Sequence, residues 1–244
     1  MVYTQFQPHP ALTPYIDAYW TVTGDGDGLK TEKILPDGCV DIIFNLGADC
    51  ETDNSNFMMK PEKTYLVGPM TRFKETMMLP ETKLLGIRFK PSAFSAFYKY
   101  TSLHEFTDQT IEFEKKLSPD ISKTIEYSTA YLNHFFLNKL SKPRHVLLPV
   151  VADIKNHKGQ INVNILAQTH FTTIRQLERS FKQYIGASPK EFINLVRYQF
   201  TLPEIQNKTS NRSLLDIAFD CGYYDHSHLT NEVKKYTGAA PSQL

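Results

Sequence analysis

The sequence predicts an α+β chain of two domains: an antiparallel β-barrel or sandwich with flanking helices, followed by an all-α domain. Three observations predict it. The length of 244 residues suits two domains of about 100–150 residues better than one. The apolar periodicity changes from short runs broken by turn residues to helical spacing near residue 100. The second half also contains an internal repeat.

Composition narrows the classes. Hydrophobic residues at 41% and aromatic residues at 12% supply a core of native size, which excludes disordered and fibrous chains. No apolar run approaches the roughly 20 residues of a membrane span. The start MVYTQFQPHP lacks the basic and apolar regions of a signal peptide, so the expected address is the cytoplasm. Cys39, Cys50 and Cys221 form no C-x-x-C pair and read as free thiols. The formal net charge of +1 divides unevenly near Arg144. Residues 1–144 hold 16 Lys+Arg against 18 Asp+Glu, and residues 145–244 hold 11 against 8 together with five of the eight His. The second half is modestly the more basic one, an asymmetry that fits either an anionic partner or an ordinary solvated surface.

The elements follow in order. Tyr19–Thr23, Cys39–Leu46, Tyr65–Val67 and Leu84–Phe89 are β-branched or aromatic runs, each closed by Gly or Pro, and read as strands. Gly24–Gly28 reads as a flexible hairpin. Pro36-Asp37-Gly38 has the chemistry of a tight turn rather than of a ligand site. Helical spacing appears over Ser92–Tyr100 and over Ile121–Leu140, where Ile121, Ile125, Tyr131, Leu132, Phe135 and Phe136 share a face. The expected division is 1–140, a linker at 141–145, and 146–244, which is helical to its end.

In the repeat, Leu177, Lys182, Tyr184, Gly186, Ala187 and Pro189 return as Leu229, Lys234, Tyr236, Gly238, Ala239 and Pro241, all at an offset of 52. Upstream, Leu166-Ala167 matches Ile217-Ala218 at an offset of 51, so the second copy carries one additional residue between its helices. Each copy reads as a short helix, a tight turn and a longer helix closed by Gly: about Val163 to His170 and Thr173 to Ile185, then about Leu214 to Asp220 and Asp225 to Thr237. This is the helix-turn-helix shape, in which a buried Ala permits close packing and the second helix presents polar residues to a major groove. Thr173 and Asp225 are N-caps, and helix N-termini attract phosphate. Leu177, Phe181 and Tyr184 form the core stripe of the first reader helix, with Arg175, Glu178, Arg179 and Lys182 outward. In the second, Leu229, Val233 and Tyr236 are core, leaving His226, Ser227, Thr230 and Asn231 outward.

These residues resemble the AraC/XylS family of bacterial transcription regulators. The most specific stretch is Ile217-Ala218-x-x-Cys221-Gly222-Tyr223-x-Asp225-x-Ser227-x-Leu229, followed by Lys234-x-x-x-Gly238-x-x-Pro241. Ile165-Leu166-Ala167, Leu177-x-Arg179-x-Phe181-Lys182, Gly186-x-Ser188-Pro189 and Arg197 match the first motif and the linking helix. The resemblance implies a pair of helix-turn-helix motifs joined by a linking helix, reading successive major grooves of promoter DNA about one helical turn apart. It implies base contacts from Arg175, Glu178 and Arg179 and from His226, Ser227 and Asn231, with Arg179 foremost, and phosphate contacts from Lys182, Lys234, Lys235 and Arg197. Thr173 and Thr230 complete the expected DNA-binding set. Three departures stand out: Asn231 where the family often has Arg, Val233 for the usual Phe, and Pro203 within the linking helix.

The first half resembles the cupin-like sensor domain of some family members, through Tyr15-Ile16-x-x-Tyr19-Trp20, Leu35–Asn45, Val67-Gly68-Pro69 and Leu85–Pro91. By that resemblance it senses a small-molecule effector, a partner or a second subunit. The chain is expected to act as a regulator without catalysis, cofactor or metal; a homodimer is an expected partner, as is RNA polymerase if it activates. The alternative is a metal- or thiol-dependent cupin-like enzyme with an appended DNA-targeting domain. For the metal version the first half offers only His9, His104 and His134; for the thiol version, Cys39.

Overall fold

The computed structural model describes the chain apart from residues 26, 27, 55, 142, 144, 146 and 208–211, and describes residues 121–128 by backbone alone. The middle of the expected Gly24–Gly28 hairpin, parts of the linker, Val146 and the side chains of Ile121 and Ile125 therefore lie outside the described residues.

Among the described residues ten strands form two antiparallel sheets: β1 (Val2–Phe6), β2 (Ile16–Thr23), β3 (Lys30–Ile34), β4 (Val40–Asn45), β5 (Cys50–Thr52), β6 (Phe57–Met59), β7 (Thr64–Val67), β8 (Lys74–Met78), β9 (Lys83–Phe89) and β10 (Thr110–Glu112). One sheet has the order β1-β2-β9-β4-β7-β10, the other β3-β8-β5-β6. No strand pairing joins the two among the described residues. The expected cupin-like barrel is thus an open sandwich, in which the edge strands β1, β10, β3 and β6 each pair on one side alone among the described residues. Trp20, Val22, Ile43, Cys50, Met59, Tyr65, Met78 and Leu84 fill the space between the sheets. The outer face of the larger sheet is covered by helix α1 (Ile121–Lys139), whose Leu132 and Phe136 pack with Phe89, Phe94 and Phe97.

Ser92–Tyr100 differs from its helical expectation. Ser92 has a left-handed backbone (φ 70°) and no side-chain cap, and only one 3-10 turn, Ala93–Ala96, forms. Burial of Phe94, Phe97 and Tyr98 in the aromatic cluster around Phe89 decides the backbone there, since rings of that size dominate a core's energetics.

The second core gathers α2 (Leu147–Asn156), α3 (Val163–Thr169), α4 (Ile174–Tyr184), α5 (Pro189–Gln206), α6 (Leu214–Asp220) and α7 (His226–Thr237). Pro203 does not interrupt α5. It lies in the last turn, the helix runs on to Gln206, and Asn207 N donates to Pro203 O at 3.0 Å, so loss of one N–H near the helix end is tolerated. The linking helix is continuous.

Candidate nucleic-acid interface

Each motif is fixed by caps and by small buried residues. In the first, Asn162 caps α3 and Thr173 caps α4. Thr173 Oγ1 accepts from Gln176 N at 3.2 Å, and Gln176 Oε1 accepts from Thr173 N at 3.2 Å, a reciprocal capping box. Leu166 and Ala167 are buried beneath Leu177 and Phe181, and the Ala lets the two helices approach closely. In the second, Ser213 and Asp216 make the same box, and Asp225 Oδ1 accepts from His228 N at 2.7 Å. Gly222 turns the chain at φ 75°, and Leu229, Val233 and Tyr236 are buried. Val233, smaller than the Phe common at its position, is fully enclosed.

The expected readers are on the outside. Thr173, Arg175, Glu178, Arg179 and Lys182 are all exposed on α4, and His226, Ser227, Asn231 and Lys234 are exposed on α7; Thr230 is half-buried. Arg175, Glu178, Arg179 and Lys182 line one groove whose opposite wall is Thr101 and Ser102 of the first domain.

Arg197 is the exception. Its Nη1 donates to Gly222 O at 3.0 Å and its Nη2 to Asn194 Oδ1 at 2.6 Å; its Nε lies 3.8 Å from Glu232 Oε2, and the guanidinium covers the Tyr223 ring at 4.8 Å. At 14% exposure this side chain is occupied within the domain and is a positioning residue, which corrects the expected phosphate contact. Burial, more than any other cause, raises the Glu232 pKa, and Arg197 pulls it back down. Spacing along one helix gives no sign of a partner on another.

Two residues escaped the sequence reading. Phe171 and Tyr224, in the turns just before Thr173 and Asp225, are 97% and 85% exposed. The offset of 51 sets Phe171 against Gly222, and that mismatch of ring and glycine was the available signal.

The first domain grips both motifs. Ser102 Oγ donates to Lys182 O at 3.1 Å, Thr107 Oγ1 donates to Gly186 O at 2.8 Å, and His104 Nδ1 lies 2.9 Å from the same carbonyl. At the second motif, Lys33 Nζ donates to Thr237 O at 2.9 Å, and Phe73 packs so closely on Gly238 that a Cβ there would lie 2.6 Å from its ring. Gln199 Nε2 donates to Pro36 O at 3.4 Å, while Phe192 and Leu195 pack on Gly38.

Between the sheets lies a cavity of about 140 Å³ lined by Trp20, Ile43, Met59, Met70, Met78 and the Arg88–Asp41 pair, among others. Trp20 Nε1 donates to Asp41 at 2.7 Å, and Arg88 Nε is 3.4 Å from Asp41 and 3.5 Å from Asp37. Asp37 also accepts from Cys39 N at 2.8 Å, the turn role expected of it. Burial and the flanking Asp37 and Asp41 carboxylates push the Cys39 thiol well up, the opposite of thiolate activation. Among the described residues no three His, Cys, Asp or Glu groups are placed to hold a metal. No described helix is long and apolar enough to cross a membrane.

Residues 4–112 match a family described as a domain of unknown function (DUF6597), and residues 166–244 match a helix-turn-helix domain family. The chain is similar to the HTH-type transcriptional activator RhaS of Pectobacterium carotovorum, 29% identical over 89 residues, which is 36% of this chain and 31% of RhaS. It is also similar to an uncharacterized HTH-type transcriptional regulator of Haemophilus influenzae, 30% identical over 94 residues, 38% of this chain and 31% of the relative. The chain thus spans about a third of the length of the curated relatives it matches. Among solved structures, ToxT from Vibrio cholerae superimposes with a TM-score of 0.52 at 12% identity, covering 100% of this chain and 97% of that one. ToxT bound to (E)-4-(8-methylnaphthalen-1-yl)but-3-enoic acid gives 0.50 at 13% identity, covering 92% and 96%. Both domains therefore share the ToxT fold.

Proposed function

We infer that this chain is a transcription regulator of the AraC/XylS family that binds promoter DNA in the cytoplasm through α4 and α7 and is controlled by a small molecule acting on residues 1–140. The observation that carries the reading is the pair of capped helices in matched frames on one continuous linking helix, each with polar side chains exposed along one face. Arg175, Glu178 and Arg179 read bases in one major groove, and His226, Ser227 and Asn231 in the next; Thr173 and Thr230 support them, and Lys182, Lys234 and Lys235 hold phosphates. The exposed α7 face supports this role for the second motif despite Asn231.

Selection of bound sequences from a random duplex library tests it: two enriched blocks about 10 base pairs apart support two readers, and salt-sensitive binding without enrichment overturns the claim of specificity. On the enriched site, Arg179→Ala is expected to cost about 1–3 kcal/mol and much less on random DNA. Equal losses on both would reduce Arg179 to a backbone contact.

The cavity between the sheets supports effector control. Two of its lining segments are also the ones that touch the second domain: Ile34, Asp37 and Cys39 flank Pro36 and Gly38 against α5, and Gly68 and Met70 flank Pro69 against Gly186. A molecule that binds one arrangement of these segments better than another must shift operator affinity by the same coupling energy, typically about 1–3 kcal/mol. ToxT, with the same fold, has been crystallised with an aryl-butenoic acid, which makes an apolar effector reasonable for a cavity rich in methionine.

The cavity's Asp41 gives a pH signature. Burial pushes its pKa up to about 6, with Asp37 adding to the rise and Arg88 and Trp20 opposing it. The folded chain then keeps a proton that the unfolded chain releases near pH 4, so this group's contribution to stability falls as pH rises between about 4 and 6. Urea midpoints across that window are expected to decline in the wild type relative to Asp41→Asn. Parallel curves would place the Asp41 pKa at its ordinary value.

A further inference from the structure

We propose that the exposed rings of Phe171 and Tyr224 are two duplex-DNA contacts, one in the turn before each reader helix, that brace the helices at the rims of their grooves. The inference rests on the DNA-binding reading above and adds to it an apolar component.

These are the two most exposed large apolar side chains among the described residues, at 97% and 85%; the next, Phe219, is at 58%. Both stand in the turn that leads into a reader helix, one residue apart in register. Phe171 is two residues before Thr173, the N-cap of α4, and Tyr224 is one residue before Asp225, the N-cap of α7. The N-terminal ends of reader helices are the parts that meet base edges, so whatever flanks them meets the groove wall.

Phe171 also sits in an unfavourable backbone. Its φ is 49°, in the left-handed region, where the second copy uses Gly222 at φ 75°. A bulky residue is strained there and glycine is not. The ring recovers nothing from its own fold, because almost none of its surface is buried. Strain and exposure at one residue, with a second exposed ring at the matching turn, point to a surface outside the chain. The residues that follow, Arg175 on α4 and His226 on α7, are polar and outward, so the partner that the helices present themselves to is the one the rings meet. An aromatic ring there fits the thymine methyl and the apolar edge of the sugars, and the Tyr224 hydroxyl adds a donor for a phosphate oxygen.

The test uses the full chain on its selected site and on a scrambled duplex. Phe171→Gly and Phe171→Asn both accept a left-handed backbone. They are expected to leave the thermal midpoint unchanged or higher while weakening binding to the selected site about five- to tenfold. Tyr224→Ser is expected to show a similar loss. The slope of affinity against salt should not change, since no charge is removed. Wild-type affinity in all three variants overturns the proposal alone. Wild-type affinity with lost promoter output in transcription reconstituted with RNA polymerase also overturns it, by assigning the rings to a protein partner. Failure of the wild type to bind any duplex removes the DNA-binding reading itself, and this proposal with it.

Discussion

Gly86→Ala is expected to destabilise the N-terminal domain by about 3–5 kcal/mol, the cost of losing a large buried ring. Gly86 lies on β9 between Trp20 of β2 and Ile43 of β4, and the indole lies directly across it. A Cβ at Gly86 would stand 1.9 Å from Trp20 Cε2 and 2.1 Å from Cζ2. The indole has no ready alternative place: it is 6% exposed, holds Asp41 through Nε1 at 2.7 Å, and forms part of the packing between the sheets. Either the ring leaves the core or the central strands separate. Trp20 is the only tryptophan, so one emission spectrum reports its environment. A red-shifted emission together with a lowered urea midpoint is the expected pair of results. Unchanged emission with an unchanged midpoint would show that the strands absorb a methyl group at this crossing without cost.

Arg197→Ala is expected to cost about 3–5 kcal/mol, the range for breaking a buried ion pair from one side. Arg197 joins α5 to the turn of the second motif through Gly222 O and faces Glu232, which is buried at 8% exposure. Its removal leaves a carboxylate whose pKa burial already raises. The loss should therefore be greater at neutral pH, where that carboxylate must carry charge, and shrink as the pH is lowered and it takes up a proton. Restoring neutrality with Arg197→Met and Glu232→Gln together should recover part of the loss. In DNA titrations the slope against salt should match the wild type after Arg197→Ala, whereas Lys182→Ala should lower it by about 1. A reduced slope for Arg197→Ala would return the guanidinium to the phosphate backbone.

The second domain is largely legible in the sequence because its determinants are local. Thr173 and Asp225 start their helices within one residue of the expected positions, and Gly222 and Gly238 provide the left-handed turns. Caps, turn glycines and a stripe at helical spacing act over a few residues, and the repeat states each of them twice. In the first domain the central strands β2, β4, β7 and β9 are legible and β1, β3, β5, β6, β8 and β10 are not. β1 and β3 are edge strands with most residues exposed, so they carry no apolar run to detect. Helical spacing over Ser92–Tyr100 misleads because Phe94, Phe97 and Tyr98 are spaced by a cluster of rings rather than by one helix face. At the interface, exposure of the reader residues follows from periodicity. The inward turn of Arg197 does not, since it depends on Glu232 and Gly222 from distant parts of the chain.

The grip of the first domain on Lys182, Gly186, Thr237 and Gly238 bears on modularity. The contacts close on the trailing ends of both readers, so the sensor and the DNA-binding unit are not beads on a string whose exchange needs only a cut in the tether. A sensor grafted onto another pair of readers would have to bring counterparts of Ser102, Thr107, Lys33 and Phe73 with it, and the reader pair would have to offer bare carbonyls and a glycine in return.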